Sequence, residues 1–243
     1  MGKLRALFFD IDDTLYSTTE FAASARRAAI EAMIAHGLRM SIDDAVLELG
    51  EVIAEFGSNY PFHYDRLLRR LPPDVVPPGN TAVMVAAAIG AYHDTKYTSL
   101  FPFPEVPGVL ERLAKKTDLK IGIVTEGLEI KQAEKLVRLD VVKWLARDAI
   151  FISDQIGISK PNKKLYLRAC ADADVKPAET MYVGDHPVND IAPAKAIGMV
   201  TVRHRRQSGK HVGEEGSVKP DYEIHGLKEL LPILAGDFGF GDL

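Results

Sequence analysis

Five short apolar runs, near residues 4–9, 119–124, 149–152, 180–183 and 199–202, alternate with segments of helical pattern along this chain. Runs this short and this uniformly apolar read as strands buried on both faces. Strands separated by helices build a parallel sheet with helices against it, because each parallel crossover needs a long connection. The fold class expected is therefore α/β, a doubly wound parallel sheet. The interval from about Ser17 to Tyr97 breaks the alternation and reads as helices only. Ser17-Thr18-Thr19-Glu20 is a capping box opening a helix that Gly37 closes, and Ser41-Ile42-Asp43-Asp44 opens a second, ending near Gly57. A third runs from about His63 to Leu71. After the rigid Pro72-Pro73 and Pro77-Pro78-Gly79, Asn80 caps a fourth. The expected division is a core from residues 1–16 and 101–243 and an all-helical domain over 17–100.

The residues that carry chemistry gather where the apolar runs stop. Asp10 and Asp12 follow Leu4-Arg5-Ala6-Leu7-Phe8-Phe9, in Phe-Phe-Asp-Ile-Asp-Asp-Thr-Leu. Acids at the carboxyl end of such a strand lie where α/β sheets bind ligands. Residues two apart on an extended chain share a face, so both acids reach one substrate. At about 4 Å and an effective dielectric near 20 their repulsion is about 4 kcal/mol. A cation, a shared proton or a turn in the chain must relieve it. Thr125 ends the run Leu119 to Val124 and precedes Glu126-Gly127, a place where a hydroxyl and free N–H groups can hold a phosphoryl oxygen. Lys160 stands in Ile158-Ser159-Lys160-Pro161-Asn162, with Lys163 and Lys164 as competitors by position alone. Gly184-Asp185-His186-Pro187-Val188-Asn189-Asp190 follows Met181-Tyr182-Val183, so Asp185 ends a strand as Asp10 does, and Asp190 falls in the helix that follows.

Taken in order, Asp10-x-Asp12-x-Thr14, Thr125, Lys160 and Gly184-Asp185-x-x-x-x-Asp190 resemble the haloacid dehalogenase superfamily of phosphohydrolases. That resemblance implies a Rossmann-like core and makes the helical interval a cap between the first two motifs. It implies that Asp10 is a nucleophile forming an aspartyl-phosphate and that Asp12 is the acid/base. It gives Lys160 the task of balancing negative charge, and it makes Thr125, Glu126, Gly127 and Lys160 the phosphate binders. It implies Mg²⁺ held by Asp10, the backbone carbonyl of Asp12 and Asp185, with Asp190 behind them orienting Lys160 or a metal-bound water. Oxygen-only ligation suits that ion. To act as an acid, Asp12 must start protonated, and neighbouring carboxylates are expected to raise its pKa. The chain departs from the family at Glu126, where relatives usually carry Asn or Asp. A carboxylate there repels a phosphate dianion, so its side chain is expected to point away while its backbone N–H binds. In the cap, the aromatic and polar stretch Gly57 to Arg66 puts forward Asn59 and His63 as further substrate contacts.

Composition narrows the partners. With 243 residues and a net charge of −4, no global field draws nucleic acid or an anionic membrane. The longest apolar run, around Thr81 to Gly90, is too short to span a bilayer, and no signal-like segment leads the chain. The single cysteine, Cys170, excludes an internal disulfide and reads as a buried thiol in a cytoplasmic protein, a monomer or homodimer. The basic run Arg203-His204-Arg205-Arg206, continuing to His211, reads as a solvated loop, and His186 as a loop-lining residue. The reading is a Mg²⁺-dependent phosphatase of a small phosphorylated metabolite, such as a triose or sugar phosphate, glyceraldehyde 3-phosphate among them. The alternatives are a 2-haloacid dehalogenase, which dispenses with a second acid like Asp12, a phosphomutase, and an inactive regulatory or binding relative. Receiver domains share the acid, Thr and Lys cluster at about half the length.

Overall fold

The computed structural model describes residues 3–241 and 243. The chain divides into two compact units, Met1–Thr19 with Phe101–Leu243, and Glu20–Leu100. Strand β1 (Ala6–Phe9) comes first and is wholly buried. The helical interval then supplies α1 (Thr18–Ala35), α2 (Ile42–Phe56), α3 (His63–Arg70) and α4 (Thr81–Ser99). The larger unit resumes with α5 (Val106–Lys116), β2 (Lys120–Thr125), α6 (Glu129–Arg138), β3 (Ile150–Ile152), α7 (Ser153–Ile156) and α8 (Lys163–Asp172). It closes with β4 (Thr180–Gly184), α9 (Ala192–Ala196), β5 (Val200–His204), β6 (Tyr222–Ile224) and α10 (Leu230–Phe238).

All pairings in the sheet are parallel and the strand order is β3-β2-β1-β4-β5-β6. The chain winds outward from β1 through β2 to β3, then returns to place β4 on the other side of β1. The carboxyl ends of β1 and β4 thus flank the point where winding reverses, the crevice in which open α/β sheets bind ligands. In register, Phe8 pairs with Gly122 and Tyr182, and Val124 with Phe151. Phe8, Val124, Phe151 and Tyr182 therefore share one face, where Leu165, Tyr166, Ala169 and Cys170 of α8 complete a core cluster. Leu7, Phe9 and Ile123 point to the opposite face by strand alternation and are equally buried. A buried Leu or Phe side chain contributes about 1.5–3 kcal/mol, so these two layers hold the strand ends in place.

The sixth strand, β6, was not among the five expected runs. The run at 199–202 also continues two residues further, so Arg203 and His204 belong to β5. Both are buried, at 2% and 1% exposure, which corrects their assignment to a solvated loop. Arg203 tolerates burial because backbone oxygens receive it: Nη2 donates to the carbonyls of His211 (2.9 Å) and Glu214 (2.6 Å).

The smaller unit has a core of its own, built from Ala29, Ile30 and Met33 of α1, Leu49 and Val52 of α2, Leu67 of α3 and Met84 and Ala88 of α4. Two of its helices, α2 and α4, begin at capping side chains. Ser41 Oγ accepts from the Asp44 N–H at 3.1 Å, and Asn80 Oδ1 from the Ala82 N–H at 3.0 Å. Among the described residues no helix is long and apolar enough to cross a membrane.

Candidate active site

β1 ends at Phe9, and the next residue, Asp10, is fixed by its N–H donating to Val183 O of β4 at 2.9 Å. β4 ends at Gly184, which puts Asp185 beside it. The Gly184 Cα hydrogen face is occupied: a Cβ there would lie 2.5 Å from Asp190 Oδ2. The π-helical turn Pro187–Ile191 brings the Asp190 carboxylate back against the strand end. Its Oδ2 accepts from the His186 N–H at 3.0 Å and its Oδ1 from Lys160 Nζ at 2.6 Å. Lys160 Nζ also donates to Asp10 Oδ1 (2.7 Å) and to Tyr182 Oη (2.9 Å). Lys163 and Lys164 lie exposed at the start of α8.

Oxygens of Asp10, Asp185 and Asp190 lie within 4.8 Å of one another. Burial, with Asp190 and Asp10 adding repulsion, pushes the Asp185 carboxyl up to about 9. Burial likewise carries Asp10 up to about 7, against the opposing pull of Lys160. Burial alone would lower the Lys160 ammonium, but Asp10 and Asp190 outweigh it and hold its pKa well above the lysine range. One ammonium thus faces three buried carboxylates. An all-oxygen donor set with surplus negative charge fits a hard divalent cation. Thr125 Oγ1, at the end of β2, and Thr14 Oγ1 are buried without a hydrogen-bond partner among the described residues.

Asp12 departs from expectation. Its side chain turns to α6, where Lys135 Nζ lies 2.6 and 2.7 Å from its two oxygens. Tyr16 Oη and Thr18 Oγ1 each donate to its Oδ1 at 2.7 Å. Burial would raise this carboxyl; Lys135 first, then Tyr16 and Thr18, hold it below the usual aspartate range. The neighbouring carboxylates therefore do not set its pKa, because an ammonium stands closer than any of them.

Glu126 accepts from Ser159 Oγ at 2.6 Å through Oε1, so its charge is directed toward the loop before Lys160. Its carbonyl accepts from Gln132 Nε2 at 2.7 Å. Gly127, at φ +140°, leaves room for this: a Cβ would stand 2.4 Å from Gln132 Nε2. His186 caps the turn that follows it, accepting through Nδ1 from the Val188 N–H at 3.2 Å, and stacks on His211 at 4.0 Å between ring centroids. In the smaller unit Asn59 is exposed, and the His63 ring nitrogen Nε2 lies 2.8 Å from the Gly57 carbonyl. The residues that sequence reasoning missed are Gln132, Lys135, Tyr16 and Thr18. Gln132 and Lys135 stand three apart on one helix face, but in a segment dense in charge nothing marks that face as functional.

A model of the haloacid dehalogenase-like hydrolases matches residues 4–198. The chain belongs to that family. As a haloacid dehalogenase-like hydrolase it is an enzyme. It is similar along nearly its whole length to proteins named glyceraldehyde 3-phosphate phosphatase. The one from Methanopyrus kandleri is 44% identical over 95% of this chain and 97% of its own. The one from Pyrococcus furiosus is 41% identical over 98% and 96%. Among solved structures, a haloacid dehalogenase family phosphatase from Thermococcus onnurineus superposes with a TM-score of 0.68, covering 96% of this chain and 99% of that one at 24% identity. That likeness agrees with the sheet order and the helices around it.

Proposed function

We propose that this hydrolase removes phosphate from a small phosphorylated metabolite, with glyceraldehyde 3-phosphate as the substrate. The observation that carries the reading is the full-length similarity to relatives of that name, at 44% and 41% identity. The contact of Lys160 with both Asp10 and Asp190 supports it. Asp10 is the nucleophile: one carboxylate oxygen attacks phosphorus as the ester P–O bond breaks, leaving an aspartyl-phosphate. Asp12 is the acid/base; because Lys135 holds it ionised in this pose, it must part from that ammonium and take up a proton before it can pass one to the departing alkoxide. It then takes one from the water that attacks the phosphoaspartate, and phosphate leaves as the Asp10–phosphorus bond breaks. Lys160 balances the charge of Asp10 and the phosphoryl oxygens, and Asp190 holds that ammonium in line. Thr125 Oγ1, buried and without a partner among the described residues, supplies a donor for a phosphoryl oxygen, with the backbone N–H of Glu126 beside it and that of Gly127, which here donates to Ser153 Oγ at 3.0 Å. Asp10, Asp185 and the backbone carbonyl of Asp12 would hold Mg²⁺. When bound, that ion neutralises phosphoryl charge and favours in-line attack. In the helical unit, Asn59 and His63 are proposed substrate contacts, and that unit is proposed to serve as a cap. The lone buried thiol of Cys170 fits work in a reducing cytoplasm.

The test is phosphate release from glyceraldehyde 3-phosphate, glycerol 3-phosphate, 3-phosphoglycerate and a hexose phosphate, with Mg²⁺ and with chelator. Preference for the aldehyde by kcat/KM supports the reading. Chloride release from a 2-chloro acid with no phosphate release from any ester would replace it with dehalogenation.

A further inference from the structure

The hydrogen bonds of the buried Arg203 all go to main-chain oxygens. Its Nη2 donates to the carbonyls of His211 (2.9 Å) and Glu214 (2.6 Å), and its Nε makes a long contact, 3.4 Å, with the carbonyl of Asp185. Burying a guanidinium is costly unless its donors are used. Here they fold the connection between β5 and β6 back to the loop that follows β4. A second tie runs to the loop that follows β1, where the Lys210 N–H donates to the Asp13 carboxylate. Residues 210–214 are thereby fastened to both of the loops that carry Asp10, Asp12 and Asp185.

What this segment brings to those loops is a second imidazole. His211 stacks on His186 with 4.0 Å between ring centroids and 24° between planes, and its side chain is only 16% exposed. Each ring has one nitrogen already in use. His186 Nδ1 accepts from the N–H groups of Val188 (3.2 Å) and Asn189 (3.5 Å), so its proton is on Nε2. His211 Nδ1 stands 2.7 Å from Glu214 Oε1, an oxygen that accepts, so Nδ1 carries a proton and the neutral ring keeps its lone pair on Nε2. Neither Nε2 has a hydrogen-bond partner among the described residues. The stacked pair therefore offers one N–H and one lone pair. That set suits a hydroxyl, which donates and accepts at once. It does not suit a shared metal ion, although a nitrogen of each ring and a Glu214 oxygen lie within 4.8 Å of one another. An ion bound to an imidazole nitrogen lies near the plane of that ring, and rings so nearly parallel have no common point close to both.

We propose that His211 is a specificity-determining residue: its Nε2, with the Nε2–H of His186 beside it, binds a substrate hydroxyl on the carbon next to the one that bears the phosphate ester. The proposal rests on the phosphatase reading and narrows its substrates to short hydroxylated esters, of which glyceraldehyde 3-phosphate is one. The placement follows from the two ties. The phosphoryl group belongs at the ends of β1 and β4, and the segment carrying His211 is fastened to the loops that follow those strands. The substrate carbons nearest the phosphate are those that such a segment meets. His211 takes no part in the bond changes. A histidine that only supported the loop would act on every ester alike, whereas one that binds the hydroxyl acts only on esters that have it.

The experiment measures kcat/KM for propane-1,2-diol 1-phosphate and propyl phosphate, which differ by that hydroxyl alone, with glyceraldehyde 3-phosphate and para-nitrophenyl phosphate alongside. The variants are His211→Phe, which keeps a ring to stack on His186 but no nitrogen, and His211→Leu. Wild type is expected to prefer the diol ester to propyl phosphate by about tenfold or more. His211→Phe is expected to bring that ratio within about twofold of unity and to lower glyceraldehyde 3-phosphate about tenfold. Propyl phosphate and para-nitrophenyl phosphate are expected to stay within about twofold of wild type. If His211→Phe does not fold, His211→Leu gives the same comparison. Equal losses on all four esters would reduce His211 to a support for the loop and overturn the proposal. So would a wild type indifferent to the hydroxyl, or a preference that survives in His211→Phe. Phosphate release from these esters without regard to the hydroxyl defeats the proposal alone. Release from none of them by the wild type defeats the phosphatase reading, and the role of His211 with it.

Discussion

Gly184 and Asp190 compete for one volume: a methyl group on the glycine would stand 2.5 Å from Oδ2 of the aspartate. That carboxylate is what holds Lys160, at 2.6 Å, and the His186 N–H, at 3.0 Å. Gly184→Ala is therefore expected to displace Asp190 and, with it, the lysine. Overpacking costs about 1–3 kcal/mol, and a misplaced ammonium costs on the order of a hundredfold in rate. Thermal unfolding and kcat on the same preparation check both. A variant with unchanged kcat would show that Asp190 does not position Lys160.

Asp10 and Lys160 are expected to fail in different ways when altered. Asp10→Asn removes the attacking oxygen at nearly constant shape, while Lys160 keeps Asp190 as a partner. Turnover is expected to vanish with the circular dichroism spectrum and melting temperature little changed. Lys160→Met leaves the buried Asp10 and Asp190 without their cation and is expected to cost about 3–5 kcal/mol of stability as well as activity. Urea denaturation of both variants distinguishes them.

Metal dependence follows from the crowding of Asp10, Asp185 and Asp190. Chelator is expected to stop turnover and Mg²⁺ to restore it, with Ca²⁺ a poor substitute because its larger, looser shell disturbs in-line geometry. Asp185→Asn is expected to weaken Mg²⁺ binding at least tenfold by titration calorimetry. Undiminished activity in excess chelator would contradict the mechanism.

The second half-reaction has its own signature. Without a base to activate water, Asp12→Asn is expected to accumulate phosphoaspartate on Asp10 when given an aryl phosphate. The trace should show a burst of nitrophenolate and then slow turnover, with the phosphorylated protein visible by mass spectrometry. Linear release with no burst would place the slow step elsewhere.

His204 predicts a pH effect on stability. Burial, reinforced by the charge of Arg206, lowers its imidazole pKa to about 4. Neither ring nitrogen has a hydrogen-bond partner in good geometry among the described residues. The native state keeps this ring neutral, while the unfolded chain protonates it near 6.5, so the unfolded state binds more protons between those values. Stability therefore rises with pH across that window, and acidification through it removes about 3 kcal/mol. His204→Phe, which packs a ring against Phe103 without titrating, is expected to flatten the difference curve between pH 7 and pH 4.5. A parallel offset at all pH values would show that the histidine is not the acid-sensitive group.

The fold was legible where local sequence and burial agree. β1, β2 and β4 read as apolar runs because both faces of each strand are buried. β6 was not legible, since Tyr222-Glu223-Ile224 is three residues at a sheet edge and its middle side chain is exposed. Arg203 and His204 were misread because what satisfies or tolerates them lies elsewhere in the chain: carbonyls of Asp185, His211 and Glu214 for the arginine, and the Phe103 ring for the histidine. In the site, Asp10 and Asp185 could be picked out because each follows the end of an apolar run, Asp190 by its spacing from Asp185, and Lys160 by the Lys-Pro pair that matches the family; the structure brings the four together. Lys135 was not. Its segment, Glu129–Arg138, looks like any charged amphipathic helix, and its meaning comes from an aspartate far away in sequence.

Strand order also governs when the enzyme can first exist. β1 is made early, but its two neighbours in the sheet begin at Lys120 and Thr180. A nascent chain therefore carries Asp10 at the end of an apolar strand that has no sheet partner until β2 follows at Lys120 and keeps one edge open until β4 follows at Thr180. The ammonium that neutralises Asp10 and the acids beside it follow only at 160, 185 and 190. A partial chain that stops before that point lacks part of this cluster, and β1 is the strand that waits longest for both its edges to be covered.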